Sequence, residues 1–168
     1  MPSAEIPGPK RTSSGKGREG ATGQRKRLHH AELLLEVTRR MATFDTLDDV
    51  LRSLVDMTTT ELNAERGSLF LNDSDTNELY SRVAQGNVQR EIRLLNNSGI
   101  AGYVFTTGEA LIIHDAYSDD RFNRSIDEQT GFTTRNILCV PIRTVKGEVI
   151  GVAQTLNKRK GRFSRQDL

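Results

Sequence analysis

Residues 137–156 read ILCVPIRTVKGEVIGVAQTL, and this stretch decides the fold. Two apolar runs, Ile137 to Arg143 and Val149 to Leu156, flank a Lys146-Gly147 turn, a pattern that predicts a β-hairpin. Its near-continuous apolarity puts the hairpin at the centre of a sheet, where both faces are covered. Pro141 fits only where its missing N–H is not needed. Gln154 is a polar residue in an otherwise apolar strand and offers both a donor and an acceptor.

Upstream of the hairpin, Gly67 to Asn72, Leu79 to Ala84, Arg90 to Leu95 and the brief Leu111 to Ile113 also read as strands, with a polar turn at Asp73 to Asn77. Ser98 to Thr107 reads as a short helix capped by Ser98 and ended by Gly108, and Gly102 inside it implies close packing. A longer helix starts at Thr46, with Asp49 completing a capping-box variant, and carries Leu47, Leu51, Leu54, Val55, Thr58 and Leu62 on one face. Before it, Leu28, Ala31, Leu34, Val37, Met41 and Phe44 recur at steps of three and four, a narrow stripe along a helix over 28–44. Such a seam packs on the chain's own core or pairs with a second copy, so a homodimer through this helix stays open. Asp115 to Arg135 is polar, with scattered apolar residues. Helices first and then antiparallel strands with helical insertions give an α+β fold. It has a central antiparallel sheet of about six strands, N-terminal and C-terminal helices on one face and a helical lid loop over the other. A lid over a rigid sheet is where a small-molecule pocket forms.

The chain's 168 residues carry a formal charge of +2. Residues 1–27 hold seven Lys/Arg against two Glu, and three of the four prolines, so residues 28–168 carry about −3. The first 27 residues bury too little apolar surface to offset ordering entropy and read as a disordered basic tail. The folded part then runs over 28–168. A single cysteine, Cys139, excludes an internal disulfide and any multi-cysteine zinc site. No run of about 18 apolar residues spans a membrane, and no signal-peptide pattern is present, so a cytoplasmic protein is expected.

Several motifs fail on context. Gly15, Gly17 and Gly20 spell G-x-G-x-x-G without a preceding strand. Asp73, Asp75 and Asn77 imitate a calcium loop, but Glu78 replaces its glycine and Ala84 its bidentate Glu. His29 and His30 point to different helix faces and His114 is isolated, so no metal site is expected. The basic run Lys158, Arg159, Lys160 and Arg162 lacks interleaved aromatics and reads as a solvated turn, which argues against nucleic acid.

What remains is polar chemistry in the lid, Asn123, Asp127, Thr130, Thr133, Thr134 and Arg135, opposite the amides of Ser98 to Ala101. Hydroxyls and helix-terminal N–H groups suit a phosphate or another anion. The alternative for each is local: Thr130 and Thr134 cap turns, Asp127 caps a helix, and Gln154 lies on a solvated face.

Arg66-Gly67-Ser68-Leu69-Phe70-Leu71, Gly99-Ile100-Ala101-Gly102-Tyr103-Val104, Asp115-Ala116-Tyr117, the run from Thr130 to Ile142 and Gly151-Val152-Ala153-Gln154 resemble a GAF domain. More narrowly, they resemble the cyclic-nucleotide-binding GAF domains of phosphodiesterases and bacterial adenylate cyclases. The resemblance implies a regulatory domain that senses cAMP or cGMP and signals to a catalytic output domain beyond residue 168, with no cofactor and no catalysis in this chain. It implies a nucleotide pocket lined by Ser68, Ile100, Ala101, Asn123, Asp127, Thr130, Thr134 and Gln154, with the Ile100 and Ala101 amides on the cyclic phosphate. Asn157, Lys158, Phe163 and Asp167 resemble the family's N-K-F-D-E signature and would support the fold, with Lys158 and Asp167 as an ion pair. Leu168 stands in place of the signature's Glu, where a last helix would be cut short. Ala84 and Gln85 replace an aromatic-acidic pair used on the purine, and Gln154 replaces an acid. Because glutamine serves either purine, base choice stays open, with a slight lean to cAMP.

Three other functions compete. A methionine sulfoxide reductase needs a thiolate with resolving cysteines, a chromophore sensor needs an attachable cysteine, and Cys139 has the apolar neighbours of a buried structural residue. A ligand-free dimerisation or signal-relay module remains the main alternative.

Overall fold

The computed structural model describes residues 16–41, 46–86 and 91–168, which fall into two compact units, Met1–Thr43 and Phe44–Leu168. The described residues of the first unit form one helix, α1, Lys16–Met41. Residues 16–27 of the expected basic tail are therefore helical, because Lys, Arg, Glu and Gln there favour a helix enough to carry three glycines. Residues 1–15 and Phe44 lie outside the described residues. Leu28 and Leu34 of the expected apolar stripe are exposed, at 61% and 68%.

The second unit holds a six-stranded antiparallel sheet. Its strands are β1 (Ala64–Asp73), β2 (Glu78–Ala84), β3 (Arg93–Leu95), β4 (Leu111–Ile113), β5 (Ile137–Arg143) and β6 (Val149–Lys158), in the order β3-β2-β1-β6-β5-β4. The 137–156 stretch is the expected hairpin, but the centre of the sheet is the β1–β6 pair and β5 lies next to the edge strand. β6 alone takes the middle because β1 adds to its other side, pairing Ser68 with Gln154 and Phe70 with Val152. Pro141 pairs with Val152 just past the end of β4, whose partners on β5 stop at Cys139, so no ladder bond there lacks a donor.

Alternation along β1 divides the core between two faces. Leu69 points to helix α2, Leu47–Glu61, and packs with Val55 and Val83. Thr46 caps α2, its hydroxyl oxygen accepting from the Asp49 N–H at 3.2 Å and donating to the Asp49 carboxylate at 2.6 Å. Phe70 points the other way, into the main core with Ile100, Val104, Ile113, Ile137 and Val152. That face carries helix α3, Gly99–Thr107. Gly102 is obligatory there: a Cβ would lie 2.9 Å from the Asn97 carbonyl carbon. The lid crosses the same face and contains a 3-10 turn, Ala116–Ser118, and helix α4, Arg124–Thr130.

The expected C-terminal helix is not formed among residues 159–168. Ser164 and Asp167 instead make a closed turn in which the Ser164 N–H donates to the Asp167 carboxylate at 2.7 Å and the Ser164 hydroxyl accepts from the Gln166 N–H at 3.2 Å. Phe163, 1% exposed, anchors this segment against Ala64 and Leu138.

Candidate ligand-binding site

Between the β1–β6 floor, α3 and the lid lies a cavity of about 520 Å³. All eight residues expected at a pocket line it: Ser68, Ile100, Ala101, Asn123, Asp127, Thr130, Thr134 and Gln154. They arrive from four places in the chain because cross-strand pairing sets Ser68 beside Gln154, α3 runs over the same face, and the lid closes above. Phe70, Ile137 and Leu156 supply apolar floor, so the site has the mixed lining of a small-molecule pocket.

The lid's polar groups are largely committed to one another. Asp127 is buried and accepts from the Thr134 N–H at 2.6 Å, the Thr134 hydroxyl at 2.7 Å and the Tyr117 hydroxyl at 3.0 Å. That bond to Asp127 is the first cause that raises the Tyr117 hydroxyl above its ordinary pKa. Asn123 caps α4, accepting from the Ser125 N–H at 3.1 Å and its hydroxyl at 2.7 Å, and the Thr130 hydroxyl donates back to the Ile126 carbonyl. Asp127, Thr134 and Asn123 therefore hold the lid's shape as well as lining the cavity.

The N-terminus of α3 differs. Thr46, Asp115 and Asn123 each cap the helix or turn that follows with a side-chain oxygen, whereas Ser98 stands at the cap of α3 and makes no such bond. The first intrahelical bond of α3 runs from Gly102 to Ser98, so the amides of Gly99, Ile100 and Ala101 have no partner inside the helix, and all three residues line the cavity. Unpaired amides at a helix N-terminus are anion donors.

On the floor, Gln154 faces Cys139 of β5 and Ser68 of β1. Burial pushes the Cys139 thiol up to about 12, partly offset by a hydrogen bond with Gln154, so it carries no thiolate at neutral pH. Beneath the lid's C-terminal root, Asn157 is fully buried at φ 58°. Its Oδ1 accepts from the Arg135 N–H at 2.6 Å, and its Nδ2 donates to Glu65 at 2.9 Å and the Thr133 carbonyl at 2.8 Å. Glu65 lies below the usual carboxylate range, chiefly through the hydrogen bond from Arg135 and then that from Asn157. Lys158 pairs with Asp167 at 2.5 Å, and its ammonium lies 5.5 Å from the Phe163 ring centre. These four residues are structural, fastening the lid's root and the chain after β6.

The sequence reading missed three contributors. Tyr117 completes the Asp127 cluster. Arg121 is bound to Asp119 at 2.9 and 2.8 Å and lies over the Tyr103 ring of α3. Arg66 lines the cavity with its guanidinium carbon 3.9 Å above the Phe132 ring centre. The signal was available in part, since Arg66 stands two residues before Ser68 and so on the same strand face. Gln85 also lines the cavity, but its side-chain amide is committed. Its Oε1 accepts from the Gly67 N–H at 2.7 Å and the Thr59 hydroxyl at 3.1 Å, and its Nε2 donates to Asp56.

A curled antiparallel sheet thus carries a helix on one face and a lidded cavity on the other. The chain belongs to the GAF domain family, whose model matches residues 46–168. It is 39% identical to the probable 3',5'-cyclic phosphodiesterase pde-5 of Caenorhabditis elegans, over an alignment that covers 89% of this chain and 23% of that protein. It is 36% identical to the dual 3',5'-cyclic-AMP and -GMP phosphodiesterase 11 of Drosophila melanogaster, covering 81% of this chain and 10% of that protein. The chain thus spans a quarter or less of these relatives. Among solved structures, the GAF domain of a phosphoenolpyruvate-protein phosphotransferase from Coxiella burnetii matches with a TM-score of 0.70 at 22% identity, covering 82% of each chain. A free methionine-R-sulfoxide reductase from Neisseria meningitidis matches with a TM-score of 0.66 at 18% identity, covering 82% of this chain and 78% of that one. These two likenesses establish the fold.

Proposed function

We propose that this chain is a regulatory, non-catalytic GAF domain that takes a cyclic nucleotide into the cavity under its lid, acts in the cytoplasm, and signals to an output domain such as a phosphodiesterase or adenylate cyclase. The observation that carries this reading is the uncapped N-terminus of α3, whose free amides line a cavity large enough for a nucleotide. A cyclic phosphate supplies the charge those amides lack, and the likeness to cyclic-nucleotide phosphodiesterases supports the same ligand class. No membrane or nucleic acid enters this reading. Among the described residues no helix is long and apolar enough to cross a membrane.

The alternative is a ligand-free relay or dimerisation module working through α1, and one observation favours it: Asn123, Asp127, Thr130 and Thr134 are satisfied within the lid. Calorimetric titration with cAMP and cGMP, on wild type and Ser98→Asp, separates the two. An aspartate at this cap position accepts from the α3 amides, so it stabilises the helix by about 1 kcal/mol while repelling a phosphate. Micromolar or tighter binding by wild type, lost in a Ser98→Asp protein of equal or higher stability, supports the sensor. No binding of either nucleotide to folded wild type refutes it and leaves the relay.

A further inference from the structure

We propose that Arg66 reads the base of the bound nucleotide and makes the cavity selective for a guanine over an adenine cyclic nucleotide; this rests on the cyclic-nucleotide reading above. Among the described residues three arginines line the cavity, and two are committed. Arg93 bonds to Asp73, Glu78 and Glu91, and Arg121 to Asp119. Among the described residues the Arg66 guanidinium has no hydrogen bond and no carboxylate partner; its one contact of this kind is the Phe132 ring.

That contact shapes what the group can do. Phe132 covers one face of the guanidinium at 3.9 Å. Gly86, at φ 106°, packs so close that a Cβ there would lie 2.6 Å from Arg66 Cζ. The ring and the glycine backbone thus flank the guanidinium, and its N–H donors are unpaired among the described residues. A planar fork of N–H groups without an acceptor is complementary to a ligand edge with two adjacent acceptors.

Guanine presents such an edge at O6 and N7. Adenine presents N7 beside the N6 amino donor, so the same fork keeps one bond and sets donor against donor. The other polar groups on hand do not decide the matter. The Ser68 hydroxyl and Gln154 each donate or accept as needed, Gln85 is committed to Gly67, Thr59 and Asp56, and the α3 amides serve the phosphate. Base choice therefore falls to Arg66, with the roughly 5- to 150-fold discrimination of a bidentate arginine contact.

The test measures affinities of cGMP, cAMP, the inosine analogue cIMP and 7-deaza-cGMP for wild type and Arg66→Gln. In wild type, cGMP is expected to bind at least 5-fold more tightly than cAMP. cIMP, which keeps O6 and N7 and lacks the amino group, follows cGMP, while 7-deaza-cGMP falls towards cAMP. In Arg66→Gln, cGMP drops to the cAMP level or below it, while cAMP holds or gains, because a glutamine amide donates to adenine N7 and accepts from its amino group. The proposal is overturned if wild type shows no guanine preference, if 7-deaza-cGMP binds as well as cGMP, or if Arg66→Gln weakens both nucleotides equally, the mark of an arginine acting by charge on the phosphate. The analogue series on wild type decides the matter even where the variant does not fold. Binding without an Arg66-dependent preference sinks this proposal alone; no binding of any cyclic nucleotide sinks the sensor reading with it.

Discussion

Replacing Asn157 with alanine removes four hydrogen bonds from a fully buried site and leaves a side chain with a Cβ at φ 58°. The bond from the Asn136 N–H is long, at 3.4 Å, and adds little. The Arg135 N–H and the Thr133 carbonyl each lose a short, partly buried bond, at about 1–2 kcal/mol apiece. Glu65 is reached by water, its side chain being 27% exposed, and loses less. Left-handed backbone costs alanine about 1 kcal/mol more than asparagine or glycine. The sum is about 3–5 kcal/mol. With a urea m-value of about 2 kcal/mol/M, the unfolding midpoint of the full chain is expected to fall by roughly 2 M. Asn157→Gly separates the two components. It loses the same bonds without the backbone strain, so it should be about 1 kcal/mol more stable than Asn157→Ala, the reverse of the usual order inside a strand. A loss below 1 kcal/mol in the alanine variant, or a glycine variant less stable than the alanine one, would refute the reasoning.

The Asp127 cluster gives a prediction for the lid. Thr134→Val keeps shape and deletes the hydroxyl that donates to buried Asp127, so stability should drop by about 1–3 kcal/mol and amide exchange across residues 116–135 should quicken, with unchanged exchange counting against a latch role. Acid should destabilise the fold through carboxylates held low, Glu65 and Asp167 among them. Glu65 is lowered chiefly by the Arg135 and Asn157 bonds; burial pushes Asp167 up, but its bonds from Lys158 and Ser164 outweigh this and leave it lowered. A lowered folded pKa means stabilisation that is fully present above the unfolded value, near pH 4, and lost as pH falls through the folded value. Urea midpoints measured from pH 6 downward should therefore decline, and Glu65→Gln and Asp167→Asn should each flatten the decline; an unaltered slope in both variants would contradict the assignment. Cys139, protonated up to about pH 12 and fully buried, should resist thiol reagents at pH 8 in the native protein and react fully in urea. Rapid native labelling would reopen thiol chemistry for this chain.

The strands were legible because each carries its own signal, alternation or an apolar run ended by turn residues, and short-range rules suffice for that. The order of the strands was not. Placing β1 beside β6 joins residues about 85 positions apart, a pairing set by which apolar faces must be covered together. The C-terminal helix was expected from family likeness, and residues 159–168 alone show a turn with Phe163 as its anchor. The basic tail was judged by composition, which counted its glycines and prolines and overlooked the helix propensity of Lys16 to Arg27.

At the site, the types of residue were legible and their partners were not. A sequence shows that Asp127, Thr134 and Asn123 are polar and close in the chain, and both a ligand and a lid framework need such groups. Which of the two they serve depends on where the hydrogen bonds go. Asp127 accepts three bonds from within the lid, so the lid's buried carboxylate is satisfied before any ligand arrives. The groups left unsatisfied decide what the cavity recognises, because a group already paired gains little from a ligand. Among the described residues those groups include the α3 amides and the Ser68 hydroxyl, which family likeness pointed to, and the Arg66 guanidinium, which lay inside a quoted motif without a role. An anion donor set on α3 and a guanidinium on β1 suit a ligand with a negative phosphate and an acceptor-rich heterocycle, and that combination is more selective than a lid of hydroxyls would be.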